Sequence, residues 1–192
     1  REAVETITEL IEYYKGIFTI LSSCAARQLE EVTFRRNTIP VQELFDAAGK
    51  YFRKVTKNRT EKVELIIEPM DAKVIGDVNQ LRFLFENLID EALAVREEGV
   101  IRLQARKDNE YIRFLFTDTR REKSVTELNQ LFYPNLARMT SGEKGELRGT
   151  EYLICKQIIR DHDEFAGRRG CRINAEPAEG GGFTVYFTIP RR

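Results

Sequence analysis

Histidine is nearly absent from this chain of 192 residues: His162 is the only one, and Ser22, Ser23 and Ser124 have no histidine near them in sequence to activate a hydroxyl, so no hydrolase site is visible. Cysteine is scarce too. Cys24, Cys155 and Cys171 lie far apart, without the spacing of a metal site, and each sits in an apolar stretch where a free thiol packs as a small hydrophobe, which fits a reducing compartment. Net charge is missing: Lys+Arg and Asp+Glu stand at 31 each, so no overall field draws the chain to nucleic acid or to an anionic membrane. No apolar run approaches the ~18 residues of a membrane span, and no signal-peptide pattern is present. The helical pattern that starts abruptly at Arg1 suggests a piece of a longer protein, with a membrane segment upstream still open.

What is present is an ordinary globular composition, 42% hydrophobic and 32% charged, enough for one good core with an appended helical element. From Val4 the apolar residues Ile7, Ile11, Tyr14, Phe18, Leu21, Ala25 and Val32 recur at coiled-coil spacing, with Gln28 as the polar interruption. Leu10, Ile17 and Cys24 widen that stripe, as in a helix of a four-helix bundle; a helix packed on its own domain is the plainer alternative. Asn37-Thr38-Ile39-Pro40 breaks it, and Pro40 suits the first turn of a second helix, Val41 to Lys57, whose end carries Lys54, Lys57 and Arg59.

Two brief strands, Val63–Ile67 and Lys73–Ile75, precede a helix from about Asn79 to Val95. Val100–Ala105 and Tyr111–Thr117 alternate with period two around Asp108-Asn109 and read as a hairpin. A polar, irregular stretch runs from Asp118 to Gly149, with one helical turn at Leu128, Leu131 and Phe132, and a loop of that length marks function or its remnant. A helical pattern at Thr150–Arg160, an extended Cys171–Ala175, a turn at Gly180-Gly181-Gly182 and an alternating Phe183–Ile189 complete the chain.

The most informative stretch is Gly76 to Leu93, in which Asp77, Leu81, Leu84, Asn87, Leu88 and Ala92 occur in an order that resembles the nucleotide-site helix of the Bergerat-type ATPases: histidine kinases, Hsp90-like chaperones and gyrase. Lys156 to His162 followed by Phe183 to Pro190 is similar to the ending of a histidine-kinase catalytic domain, and the resemblance covers about Val41 to Arg192. It implies an α+β fold, a two-layer α/β sandwich, preceded by a long N-terminal helix. Residues 1–36 are then the end of a dimerisation hairpin and residues 37–192 the ATPase-like domain.

The same resemblance implies what the chemistry needs. An aspartate reads the adenine amino group, glycine turns let backbone amides approach the nucleotide, and the second asparagine of the helix motif holds Mg²⁺. Here that asparagine is Glu91, in Asn87-Leu88-Ile89-Asp90-Glu91-Ala92. The first glycine box reads Asp118-Thr119-Arg120-Arg121-Glu122, keeping the aspartate and losing both glycines. The second aligns with Leu147-Arg148-Gly149-Thr150-Glu151-Tyr152, keeping only Gly149. Glycine there reaches positive backbone angles and leaves room for phosphate, which Arg120, Glu122, Leu147 and Glu151 do not. An acidic group ~4 Å from a phosphate costs about 4 kcal/mol at an effective dielectric near 20, roughly three decades of affinity.

The relic pocket is therefore expected at Asn87, Glu91, Asp118, Thr119, Gly145 and Gly149, closed by Arg120, Glu122, Leu147, Arg148 and Glu151, with Arg120 or Arg148 paired to Glu122, Glu151 or Glu91. A rearranged anion site built on the same arginines stays open. No cofactor is expected; ATP and Mg²⁺, the metal on Glu91 or Asn87, belong to the alternative of a divergent but active histidine kinase. The leading expectation is a pseudokinase that has lost normal ATP binding and acts as a dimerising scaffold, and a second alternative to it is a histidine phosphotransfer protein with its histidine upstream. His162 is expected to pack or cap rather than accept phosphate. The resemblance implies a cytoplasmic signalling module, a homodimer through residues 4–32, and a response-regulator-like partner; Gly167-Arg168-Arg169-Gly170 has no aromatic interleaving for nucleic acid.

Overall fold

The computed structural model of the chain describes residues 3–8, 10, 11, 14, 15, 18, 34–133 and 150–192. The described positions between 3 and 18 are helical; the remainder of the expected helix to Val32, with Cys24, lies outside the described residues.

Five strands form one sheet, in the order β2 (Val63–Ile67), β4 (Gly99–Asp108), β5 (Tyr111–Asp118), β7 (Phe183–Pro190), β6 (Ile173–Pro177). β2 runs parallel to β4, and the other neighbours are antiparallel. β4 and β5 are the expected hairpin, turned at Asn109, whose φ of 52° is a left-handed angle that asparagine tolerates. The four residues read as a helix break are instead a strand, β1 (Asn37–Pro40), paired antiparallel with β3 (Lys73–Gly76) in a separate two-stranded ribbon. The two brief strands before the motif helix do not pair with each other: β2 joins the large sheet and β3 the ribbon.

Three helices cover one face of the sheet: α1 (Val41–Thr56), α2 (Val78–Leu93) and α4 (Thr150–Phe165). A short α3 (Val125–Asn129) lies between β5 and α4, begun by a capping box in which Ser124 and Glu127 satisfy each other's backbone N–H. Each long helix buries one stripe. On α2 it is Leu81, Leu84, Phe85, Leu88, Ile89 and Ala92, at spacings of three and four that keep them on one side. β5 answers with period two, burying Ile112, Phe114 and Phe116. The layers meet at Phe45, Phe85, Phe114 and Phe187, where Phe114 and its cross-strand partner Phe187 stack at 4.9 Å and Phe85 meets Phe114 edge-on at 5.7 Å. This is the α+β, two-layer sandwich that the sequence implies.

Candidate functional site

The alternation that points Phe114 and Phe116 toward the helices also points Asp118 inward, at the end of β5 where the core gives way to polar groups. Asp118 is 1% exposed, and a carboxylate that deeply buried requires partners. They come from the next residues. The chain turns at Thr119, whose hydroxyl donates to Val100 O at 2.7 Å, so the Arg120 N–H donates back to Asp118 Oδ1 at 3.0 Å in an Asx turn. The Arg120 guanidinium then folds over the same carboxylate, with Nε to Oδ1 and Nη2 to Oδ2 both at 2.9 Å. Arg121 adds Nε to Oδ2 at 3.2 Å while its guanidinium lies 5.8 Å from the Phe183 ring centre.

Arg120 reaches further. Nη2 donates to Ala92 O at 2.6 Å, at the C-terminal end of α2, and Nη1 to Glu97 O at 2.9 Å in the segment leading to β4. Its side chain is 1% exposed. Space for it comes from Gly99, at φ 138°, where a Cβ would stand 2.7 Å from Arg120 Cγ. On the other side Gly182, at φ 83°, brings the turn before β7 directly against the Asp118 carbonyl and Thr119 Cα, leaving no room for any side chain. Arg59 makes a parallel clamp on the same helix end, donating to Leu93 O and Val95 O and pairing with Glu61 at 3.4 Å. Its cation thus serves the C-terminus of α2, not that of α1 as its sequence position suggests.

Asn87 is buried on α2, but its amide donates to Phe83 O, one turn back in its own helix, at 2.8 Å. Glu91, one turn further on, is half-buried. Tyr152 is buried beside it; burial first, and then the Glu91 charge, push its hydroxyl pKa well above the ordinary value, against the opposing pull of Arg121. Glu151, in the first turn of α4, has Oε2 buried with no hydrogen-bond partner among the described residues. Glu122 is exposed. Gly145, Leu147, Arg148 and Gly149 lie outside the described residues.

Arg120 therefore pairs as expected with an acid, but that acid is Asp118 and not Glu122, Glu151 or Glu91. The Asx turn sets Arg120 over a carboxylate two residues back in its own chain segment. The tripeptide Asp118-x-Arg120 at a strand end was the signal for it. Among the described residues no group of three or more His, Cys, Asp or Glu side chains is placed to hold a metal ion.

A second buried polar node lies at the start of α2. Asp77 caps the helix, Oδ1 accepting from Asn79 N at 3.0 Å and Gln80 N at 3.1 Å, while Oδ2 accepts from Arg35 N at 2.9 Å. His162, fully buried on α4, accepts the Asp77 N–H on Nε2 at 3.1 Å and shares Nδ1 with Ile158 O at 2.8 Å. The ring is thus neutral with its proton on Nδ1, and burial holds its pKa below the ordinary histidine value. The Phe34 ring meets it edge-on at 4.8 Å. His162 packs and caps, as its sequence position implied.

Residues 76–192 match the family described as histidine kinase-, DNA gyrase B-, and HSP90-like ATPase. Solved structures share the fold at low identity. The mycobacterial sensor histidine kinase MprB is 18% identical, with 82% of this chain and 99% of that chain covered at a TM-score of 0.62. The catalytic domain of histidine kinase ThkA is 20% identical over 82% of this chain and 96% of that one, at 0.64. ThkA in complex with the response regulator protein TrrA is 18% identical, covering 98% of this chain and 52% of that chain, at 0.62. No curated protein matches.

Proposed function

The chain belongs to the histidine kinase-, DNA gyrase B- and HSP90-like ATPase family, and from that premise we propose that it is a pseudokinase: the signalling module of a two-component-type sensor whose catalytic-like domain takes no nucleotide and works as a dimerising scaffold. The observation that carries this reading is the enclosure of Asp118. The aspartate that would read an adenine amino group has both oxygens held by Arg120 and Arg121, with Arg120 as buried as its partner. As placed, these residues do not fit an adenine base. To admit one, Arg120 must leave both the carboxylate and the carbonyls of Ala92 and Glu97.

Breaking a buried pair costs about 3–5 kcal/mol, which removes roughly two to three and a half decades of affinity and carries an ordinary micromolar site to between about 0.1 mM and a few millimolar. Glu91 decides little by itself, because a carboxylate ligates Mg²⁺ as readily as an amide oxygen. Asn87 adds to the effect, its amide donating into its own helix at Phe83 O.

The scaffold role rests on the N-terminal helix. Val4, Ile7, Leu10, Ile11, Tyr14 and Phe18 are 47% to 72% exposed, a stripe of large apolar side chains that suits a second copy of the same helix. A response-regulator-like protein is the partner proposed for the assembled dimer, in a cytoplasmic setting; among the described residues no helix is long and apolar enough to cross a membrane.

Calorimetric titration with ATP and Mg²⁺ tests the site. No heat of binding at micromolar nucleotide is expected, and a micromolar Kd would sink the pseudokinase reading in favour of a divergent active kinase using Asn87, Glu91 and Asp118. Autophosphorylation of the full-length protein with labelled ATP should likewise leave no label.

A further inference from the structure

We propose that Arg120 is a built-in ligand: its guanidinium stands where Asp118 would meet a base and holds the end of β5 to the C-terminal end of α2, so that the fold is complete without nucleotide. This rests on the reading that the site takes no nucleotide, and gives that loss a structural device.

The groups that Arg120 donates to are all oxygens, and Arg121 is a second donor beside it on Asp118 Oδ2. The Asp118 carboxylate comes from β5, the Ala92 carbonyl from α2 and the Glu97 carbonyl from the segment between α2 and β4. Three chain segments thus turn oxygen toward the Arg120 guanidinium. The chemical complement of such a place is a planar cation with N–H groups around its rim, which describes a guanidinium. An aminopurine fits it less well, since its amino group offers two N–H donors and its ring nitrogens are themselves acceptors.

The surroundings are built for the arginine. Gly99 leaves the space its methylene chain crosses, and the side chain is 1% exposed, so the group is enclosed as a bound molecule would be and not laid over the surface. Arg59 repeats the device one carbonyl pair away, on Leu93 O and Val95 O, so two guanidinium groups anchor the α2 end. Only Arg120 ties that end to the sheet through Asp118.

The test is chemical rescue, read by thermal melts of the wild-type protein, R120A and D118N/R120A. R120A leaves Asp118 buried with its main partner gone, and its Tm should fall by roughly 10 °C. Methylguanidinium at about 10 mM, too dilute to act as a denaturant, should restore a good part of that loss in R120A, leave the wild type unchanged, and do nothing for D118N/R120A, which lacks the carboxylate charge. An equal shift in wild type and R120A, or no shift in R120A, overturns the proposal. So does rescue by adenosine without rescue by methylguanidinium, because the place would then be shaped for a base. If R120A is recovered only unfolded, refolding yield with and without methylguanidinium gives the same two answers. Failure of the underlying reading shows separately, as micromolar ATP binding by the wild type.

Discussion

Because its Nε2 accepts the Asp77 N–H, the His162 ring cannot take up a second proton without setting one N–H against another. Burial holds its folded pKa down, against the smaller opposing influence of the Ile158 carbonyl and then of Asp77 and Asp161. The unfolded chain, with histidine near 6.5, therefore binds the proton first, and stability falls as pH drops through that value, by up to about 1.4 kcal/mol per pH unit, until the lower folded pKa is passed. Denaturant titrations between pH 7.5 and 5 should show this slope in the wild type and a flatter one in His162→Gln, whose amide can keep both hydrogen bonds. Cys171 is a second residue-scale case. Burial first, then the Asp163 charge, push its thiol up to about 12, so at neutral pH it should react with a thiol reagent only as fast as the protein opens. At this scale the sequence singled out Asp118, Asn87 and Glu91, since they stand at motif positions. It did not tell how they pair. Which acid Arg120 takes depends on a turn at Thr119, a local hydrogen-bond choice that side-chain type alone leaves undecided.

The N-terminus of α2 is fixed from three directions, by its Asp77 cap, by His162 behind that cap and by Arg35 from the incoming chain. Asp77→Ala should cost about 1–2 kcal/mol in urea unfolding. Gly76→Ala should also destabilise, because a Cβ there would stand 2.8 Å from His162 Nε2 and 3.1 Å from Leu81 Cδ1. The long helices and the hairpin were legible because each repeats its period several times. β1 was not, for it has four residues, only Ile39 among them buried, and ends in a proline; its strand character comes from β3, more than thirty residues away. The separation of β2 from β3 was hidden for the same reason, since strand pairing is a property of partners and not of either segment.

At the scale of the whole molecule, the described residues present a buried sandwich and an exposed apolar helix stripe, and these should respond to different substitutions. Ile7→Asp with Ile11→Asp should leave the melting of the sandwich almost unchanged and give a monomer in sedimentation experiments, where the proposed helix-mediated pairing has the wild type expected as a dimer. Phe114→Ala, at the centre of the four-ring cluster, should cost about 3–5 kcal/mol. The layer architecture itself was readable from helical and strand periods together with the motif helix. β3 has a further consequence. It pairs with β1 along one side, bridges to Arg191 through Val74, and accepts the Arg192 N–H on Lys73 O at 3.1 Å, while Arg192 also donates to Thr38 Oγ1 at 3.3 Å. The first strand and the last residue thus meet at one seam. Backbone order around the sandwich is therefore close to a closed circuit, and a short Gly/Ser bridge from Arg192 back to Asn37, with new ends opened at the Asp108–Tyr111 turn, should thread the same architecture in a rotated sequence.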